Sequence, residues 1–100
     1  MEFTIQNNPE NTVAILTGSF DTLAAEQVEP QIKELEASIT KPLTIDCTSL
    51  DYIASSGLRV LLRLRKACAA SGQQVALLGV NEHIMEVLKV THFDSMFQII

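Results

Sequence analysis

Residues 42–70 have the sequence PLTIDCTSLDYIASSGLRVLLRLRKACAA, and this stretch decides the fold. It begins with alternating apolar and polar residues, and this period of two predicts a strand over residues 43–47. From Leu58 onward the apolar residues recur at helical spacing, which predicts an amphipathic helix. The stretch therefore predicts a strand, a short loop at residues 54–57 and a helix with one buried face.

Hydroxyl residues stand where this helix should begin. Ser55 or Ser56 is predicted to cap it, because a hydroxyl oxygen can accept a hydrogen bond from an otherwise unpaired amide of the first turn. Gly57 lets the backbone pass close to a neighbouring segment. On pattern alone, the two serines are ordinary helix caps with no chemistry of their own.

The predicted helix has two different faces. At about 100° per residue, three of its basic residues share one narrow water-facing stripe with Ala70, namely Arg59, Arg63 and Lys66. The opposite face is apolar and consists of Val60, Leu61, Leu64, Ala67 and Cys68. The basic stripe either solvates the helix or offers positive charge to a partner.

The same stretch resembles the signature of STAS domains and, more narrowly, that of the bacterial anti-sigma factor antagonists. Two runs carry the resemblance: IDC at residues 45–47 and LDYIASSGLRVL at residues 50–61. In that family the signature ends in a D-S-S-G or S-S-A-G type turn, and a partner kinase phosphorylates a serine that corresponds to Ser55. Family members often have Asp or Ser just before this serine, where this chain has Ala54.

Length and composition bound the class of protein. With 100 residues and 47% hydrophobic content, residues 1–100 are predicted to form a single STAS domain with one modest core. The net charge of -5 argues against nucleic acid or an anionic membrane as the main partner. No apolar run is long enough for membrane insertion, and no signal-peptide pattern is present. Two cysteines outside any metal-ligand spacing favour reduced thiols and a cytoplasmic location.

The amino-terminal part is predicted to be an antiparallel hairpin followed by a helix. Alternation predicts a first strand near the amino terminus and a second at residues 12–16, which Gly18 should end. Asp21 or Thr22 is predicted to cap the helix, which Pro30 should kink or start late because its ring clashes within a regular helix. In the family this loop lies near the serine, so Asp21 is either a plain cap or an acid that lines the site.

The carboxy-terminal part continues the alternation of strands and helices. Ser71-Gly72 should close the central helix, followed by a strand at residues 74–78, a helix from about Glu82 and a final strand at residues 96–100. The resulting order, β-β-α-β-α-β-α-β, fits the α/β STAS fold, with a mixed sheet and helices mainly on one face. Family members commonly have one more helix after the last strand. If the chain lacks this helix, we expect an apolar surface that is available to a partner or for a homodimer.

An enzymatic role is the alternative that the central turn raises, since a serine between a strand and a helix resembles a nucleophile elbow. The two histidines, His83 and His92, lie in or just after the third predicted helix, and nothing marks a carboxylate that would orient either ring. No metal-ligand spacing, P-loop or GxGxxG motif is present. The sequence therefore predicts a binding module that is not an enzyme and carries no cofactor.

The resemblance implies a regulator that works by partner switching. Unphosphorylated, such a protein binds an anti-sigma factor that is also a serine kinase and frees a sigma factor; the kinase uses ATP and Mg²⁺, and a serine phosphatase resets the switch. The predicted partner-binding residues are Asp21, Asp46, Ala54, Ser55, Ser56, Gly57, Arg59, Arg63 and Lys66. Ala54 keeps a second interpretation open, in which an unphosphorylated STAS module serves as an interaction subunit of a lipid transport or stress-signalling complex.

Overall fold

The computed structural model describes residues 1–100 and contains five strands, three α-helices and one 3-10 turn. In chain order these are β1 (Glu2–Asn7), β2 (Thr12–Phe20), α1 (Thr22–Ala37), β3 (Leu43–Ile53), α2 (Ser55–Ala70), β4 (Val75–Leu78), α3 (Glu82–Val90), the 3-10 turn (Phe93–Ser95) and β5 (Gln98–Ile99). The predicted order β-β-α-β-α-β-α-β is confirmed.

The strands form one mixed sheet in the order β1-β2-β3-β4-β5, in which β1 is antiparallel to β2 and all other neighbours are parallel. Parallel neighbours joined by a helix make right-handed crossovers. Since each crossover moves one strand in the same direction across the sheet, the helices lie on one face. In β3, Leu43 and Ile45 are buried under the helices, whereas Thr44 and Asp46 on the other face are only half-buried. The predicted fold class is confirmed.

The core lies between the helices and this covered sheet face. The predicted apolar face of α2 is confirmed for Val60, Leu61, Leu64 and Cys68, and Ala67 lies at its edge. Both cysteines are free and buried, as expected. Burial, with a smaller contribution from the charge of Asp46, raises the pKa of the Cys47 thiol to about 12, and burial also raises the pKa of Cys68. None of the three helices combines the length and apolar character needed to cross a bilayer.

Two strands are longer than the sequence pattern predicted. Gly18 does not end β2 but lies inside it with φ +96°, next to a shift of register against β3. The predicted end of β3 at Cys47 is also wrong, because the strand continues to Ile53 past two consecutive exposed residues, Thr48 and Ser49. Bulges of this kind interrupt the alternation of side chains while pairing between the strands continues. The extension carries the chain directly to the turn before α2.

Helix α1 begins where the sequence predicted. The side chain of Asp21 accepts a hydrogen bond of 2.8 Å from the amide of Ala24, so Asp21 is its cap. Of the two alternatives predicted for Pro30, a kink or a late start, the late start is excluded, since α1 begins at Thr22 and continues through Pro30 to Ala37. The proline has no amide, so the carbonyl of Glu26 lacks its usual helical donor.

The carboxy-terminal elements are shorter than predicted. Gly72, with φ +71°, closes α2 as expected, and the Gln73 amide donates to the Cys68 carbonyl at 2.8 Å. The predicted strand at residues 96–100 is reduced to Gln98–Ile99, since the amide of Met96 donates to the carbonyl of Phe93 at 3.0 Å and belongs to the end of the 3-10 turn. Helix α3 does begin at Glu82, and its buried side chains are Ile84 and Leu88, with Val87 half-buried.

Candidate functional site

The turn between β3 and α2 places the two serines on the first helical positions. Ala54 precedes the helix with an extended backbone (φ -92°, ψ 173°), and its amide donates to the carbonyl of Phe20 at 2.9 Å. Ser55 and Ser56 are the first two residues of α2. The prediction that Ser55 or Ser56 caps the helix is therefore wrong, because the cap is Ala54, which makes no side-chain hydrogen bond.

The amino terminus of α2 is open to an anion. The first amides of a helix have no partner within the helix, and Ala54 provides no side-chain acceptor for them. These amides and the helix dipole together favour negative charge at this end. A phosphoryl group on Ser55 would therefore lie in a favourable electrostatic environment.

An acceptor introduced at the cap position should stabilise the protein. Ala54→Asp is expected to raise the free energy of unfolding by about 1 kcal/mol at neutral pH, because the carboxylate can accept from the first-turn amides and interacts with the dipole. Chemical denaturation measures the change. Ala54→Asn is the control, since it can cap without charge and separates the hydrogen bond from the dipole contribution. If neither substitution changes the free energy of unfolding, the inference that the first-turn amides of α2 lack an acceptor is wrong.

The two serines differ in accessibility. Ser55 is exposed, and its hydroxyl makes no side-chain hydrogen bond in the structure. Ser56 is half-buried, and its Oγ lies 2.9 Å from Oγ1 of Thr22 at the start of α1. The predicted site residue Ser55 is thus the freer of the two hydroxyls. Thr22 was considered in the sequence only as a cap, and its contact across the two helices was missed.

A groove of about 320 Å³ runs from this point between α1 and α2. Its lining contains acidic, basic and small side chains, namely Thr22, Ala25, Glu26, Glu29, Ser56, Arg59, Val60 and Arg63. Ser56 forms part of the groove wall, whereas Ser55 does not line the groove. The two serines are adjacent in sequence but lie in different environments, since only Ser56 lines the groove.

Arg63 does not belong to a free, water-facing stripe, and that expectation is wrong. Its guanidinium binds Glu29 and Glu36 of α1, each with a shortest N–O distance of 2.6 Å. The hydrogen bond from Arg63 lowers the pKa of the Glu29 carboxyl, and the two carboxylates raise the pKa of Arg63. Arg59 and Lys66 are exposed, so they are the two predicted basic residues that keep their charge available to a partner.

The Arg63 ion pairs should make a modest contribution to stability that depends on pH. Since the folded-state pKa of Glu29 lies below its unfolded value near 4.5, this contribution is present above that value and is lost as pH falls through the lowered pKa. Arg63→Gln is expected to cost about 1 kcal/mol at pH 7, a value limited by solvent screening because the side chains remain partly exposed.

Thermal or denaturant unfolding of the parent and the Arg63→Gln variant across pH 3–7 measures this effect. The difference between the two proteins should shrink below about pH 4.5. Lys66→Gln is the matched control, because Lys66 lies on the same helix, is exposed and forms no ion pair in the structure. A difference for Arg63→Gln that stays constant over this pH range would exclude the ionised carboxylates as its source.

The two acidic residues predicted at the site, Asp21 and Asp46, accept hydrogen bonds from residues close to them in sequence. Asp21 caps α1. The preceding residue, Phe20, accepts a hydrogen bond from the amide of Ala54, so Asp21 lies close to the turn before α2. Asp46 accepts from the amide of Thr48 at 3.0 Å and from its hydroxyl at 2.6 Å. It lies on the uncovered face of the sheet, and its hydrogen bonds are to Thr48 and not to Ser55.

Two exposed apolar residues, Leu23 and Tyr52, are absent from the predicted partner-binding set. Leu23, on the first turn of α1, is 62% exposed, and Tyr52, near the end of β3, is 47% exposed. Leu23 lies outside the buried apolar stripe of α1, and this position in the helical pattern indicates that its side chain is exposed. The Phe20–Ala54 hydrogen bond joins the end of β2 to the residue after β3, so the backbone segments that carry Leu23 and Tyr52 lie on either side of the junction before α2.

A family model described as the STAS domain matches residues 2–100. BtrV of Bordetella bronchiseptica, whose name describes it as an anti-sigma factor antagonist, is 28% identical over 99 residues, which are 99% of this chain and 85% of that protein. A Thermotoga maritima structure with the same description has a TM-score of 0.86 at 20% identity and covers 97% of this chain and 84% of its own.

SpoIIAA, described as an anti-sigma factor antagonist and as a Bacillus cell fate determinant, has a similar fold in two states. Its unphosphorylated form has a TM-score of 0.76 at 22% identity, over 99% of this chain and 87% of that one. Its phosphorylated form has a TM-score of 0.75 at 20% identity, over 99% of this chain and 91% of that one. The similarity to both states shows that the two proteins share a fold.

Proposed function

The chain belongs to the STAS domain family, and on that basis we propose that it is an anti-sigma factor antagonist that works by partner switching in the bacterial cytoplasm. In this scheme residues 1–100 act as a single domain whose unphosphorylated form binds an anti-sigma factor with serine kinase activity, which frees a sigma factor. The kinase, with ATP and Mg²⁺, phosphorylates Ser55 and ends the binding, and a serine phosphatase resets it. The observation that carries the proposal is the exposed, unbonded Ser55 hydroxyl at the first position of α2.

A phosphoryl group on Ser55 is compatible with the fold. It adds about -1.5 to -2 charges at neutral pH. The uncapped amides of α2 and the helix dipole favour such an anion by up to about 2 kcal/mol. Helical side chains lean toward the amino terminus, so exposed Arg59, four residues further on, can reach it. Phosphorylation should therefore act on partner binding and leave the folded state in place.

The proposed partner-binding surface, called the Ser55 surface, consists of Leu23, Tyr52, Ser55, Arg59 and Lys66. All five residues are exposed. Two apolar side chains beside polar ones resemble the composition of a protein interface, with an apolar centre and a charged rim. A phosphoryl group there must lose water when the partner closes over it, which opposes binding.

Six residues of the predicted binding set are left out of the Ser55 surface: Asp21, Ala54, Ser56 and Gly57, which belong to the junction of the two helix starts, and the charged residues Asp46 and Arg63. Asp46 is hydrogen-bonded to Thr48 on the uncovered sheet face. Arg63 is neutralised by Glu29 and Glu36. Their side chains have partners within the protein, and a contact with another protein would have to replace those bonds.

A negative charge at position 55 should weaken the binding of the partner. Ser55→Asp is expected to lower the affinity for the anti-sigma kinase at least tenfold, or about 1.4 kcal/mol, with a melting temperature no lower than that of the parent. Isothermal titration without ATP, together with thermal melts, measures both quantities. Ser55→Asn has a similar size without the charge and should bind more tightly than Ser55→Asp. A Ser55→Asp variant that unfolds, or that binds as tightly as the parent, would contradict the mechanism.

The direct test of the function uses the purified protein and an anti-sigma serine kinase of the same organism. Without ATP the two proteins should form a complex and release the sigma factor from the kinase. After incubation with ATP and Mg²⁺, the complex should dissociate, and mass spectrometry should find one phosphoryl group on Ser55. Absence of both binding and phosphorylation would overturn the proposal and favour a STAS module that acts as an interaction subunit.

A further inference from the structure

We propose that Thr22 decides which of the two adjacent serines accepts the phosphoryl group, because its hydroxyl holds that of Ser56. This inference rests on the proposed function and adds a specificity-determining residue on a different helix. The observation is the 2.9 Å distance between Oγ1 of Thr22 and Oγ of Ser56, across the starts of α1 and α2. The other serine, Ser55, is exposed and has no such partner.

The contact between Thr22 and Ser56 belongs to a junction that holds the two helix starts together. The Ala54 amide donates to the Phe20 carbonyl at 2.9 Å. Gly57 packs so closely that an added Cβ would lie 2.9 Å from Cγ of Phe20 and 3.0 Å from its carbonyl oxygen. Ser56 lies between these two contacts in sequence, and its backbone is held on both sides. Its hydroxyl cannot move away from Thr22 without rotation of the side chain or displacement of α1.

The Thr22 hydroxyl is free for this role because α1 does not need it as a cap. Asp21 already caps α1 by accepting from the Ala24 amide at 2.8 Å. Thr22 is exposed, so its hydroxyl could be fully solvated without the Ser56 contact. Removal of this hydroxyl therefore frees Ser56 without removing the cap or any buried side chain.

Phosphoryl transfer requires a serine oxygen that can approach the phosphorus. The Oγ of serine attacks the γ-phosphorus of ATP, the new O–P bond forms, the bond to the departing ADP breaks and the hydroxyl proton passes to a base of the kinase. For Ser56, the hydrogen bond to Thr22 must first break, and the oxygen must leave the wall of the groove beside Ala25. A net hydrogen bond corresponds to about two- to tenfold in an equilibrium constant, before any steric cost. Ser55 requires neither step.

The experiment compares Ser55→Ala with the double variant Thr22→Val/Ser55→Ala. Each is incubated with the anti-sigma serine kinase, Mg²⁺ and γ-labelled ATP, and the rate of phosphorylation at Ser56 is measured by peptide mass spectrometry. Valine has the shape of threonine without its hydroxyl, so Ser56 of the double variant should be phosphorylated about two- to tenfold faster. Thr22→Ser/Ser55→Ala retains the hydroxyl and should match Ser55→Ala. Thr22→Ala/Ser55→Ala repeats the test with a smaller side chain if the valine variant does not fold, and thermal melts establish folding.

The outcomes separate this inference from the proposed function. Equal Ser56 rates in the folded variants with and without the Thr22 hydroxyl would overturn the role of Thr22 while Ser55 of the parent remains the phosphorylation site. A parent protein that accepts no phosphoryl group at either serine would overturn the proposed function, and with it this inference. Faster phosphorylation of Ser56 only when the hydroxyl is absent supports both.

Discussion

Replacement of Ser55 by alanine is expected to remove almost all phosphorylation by the anti-sigma kinase and to leave the fold intact. Ser55 is exposed and makes no side-chain hydrogen bond, so its hydroxyl stabilises nothing in the folded protein. Alanine also has the highest helix propensity and fits the first position of α2. Only a slow residual phosphorylation of Ser56 should remain, because the Ser56 hydroxyl is held by Thr22 and lies in the wall of the groove. Incorporation of label from γ-labelled ATP and peptide mapping measure it.

The neighbouring serine provides the control for this prediction. Ser56→Ala removes a hydroxyl of the same type one residue away and should still accept a phosphoryl group at Ser55. Circular dichroism of both variants should match the parent. If Ser56→Ala abolishes phosphorylation and Ser55→Ala does not, then the alignment of the turn with the family signature is displaced by one residue.

Gly57→Val is expected to lower the free energy of unfolding by about 3 kcal/mol, the upper end of the cost of overpacking a core. A Cβ at this position would lie 2.8 Å from Cγ1 of Ile53 and 2.9 Å from Cγ of Phe20, closer than carbon atoms approach without repulsion. The Phe20 carbonyl oxygen, 3.0 Å away, belongs to backbone that is tied to Ala54, so it has little freedom to move. Valine adds two further methyl groups to this contact.

Denaturant unfolding measures the loss, and two variants separate the contact from helix propensity. Ala69→Val places the same side chain at an exposed position of the same helix and should cost well under 1 kcal/mol. Gly57→Ala should fall between, since its single methyl clashes but alanine gains about 1 kcal/mol of helix propensity over glycine. A Gly57→Val variant as stable as Ala69→Val would show that α2 can move away from Phe20 at little cost.

The sequence alone determined the order of the elements and the class of the fold. Period-two alternation at residues 43–47 and helical spacing after Leu58 depend on neighbouring residues, and each pattern indicated an element of the right type. Local hydrogen bonds were also predictable, since Asp21 caps α1 and Gly72 closes α2 as their residue types indicate. These features involve residues a few positions apart, so their physical causes are contained in the local sequence.

The extents of the strands were decided by the sheet. Strands β2 and β3 continue beyond Gly18 and Cys47 because they pair with each other through shifts of register that break the alternation of side chains. The same pairing moved the start of α2. With β3 extended to Ile53, only Ala54 remains as the cap, and both serines lie inside the helix.

Only the tertiary structure decided the roles of the polar residues at the site. The contact between Ser56 and Thr22 joins residues 34 apart, and Arg63 binds carboxylates 34 and 27 residues away. A helical pattern places Arg63 on a polar face of α2, but it does not show that Glu29 and Glu36 of α1 lie opposite. The packing of α1 against α2 on one face of the sheet determines which charges and hydroxyls remain free, because a polar group that meets a partner within the fold no longer faces water.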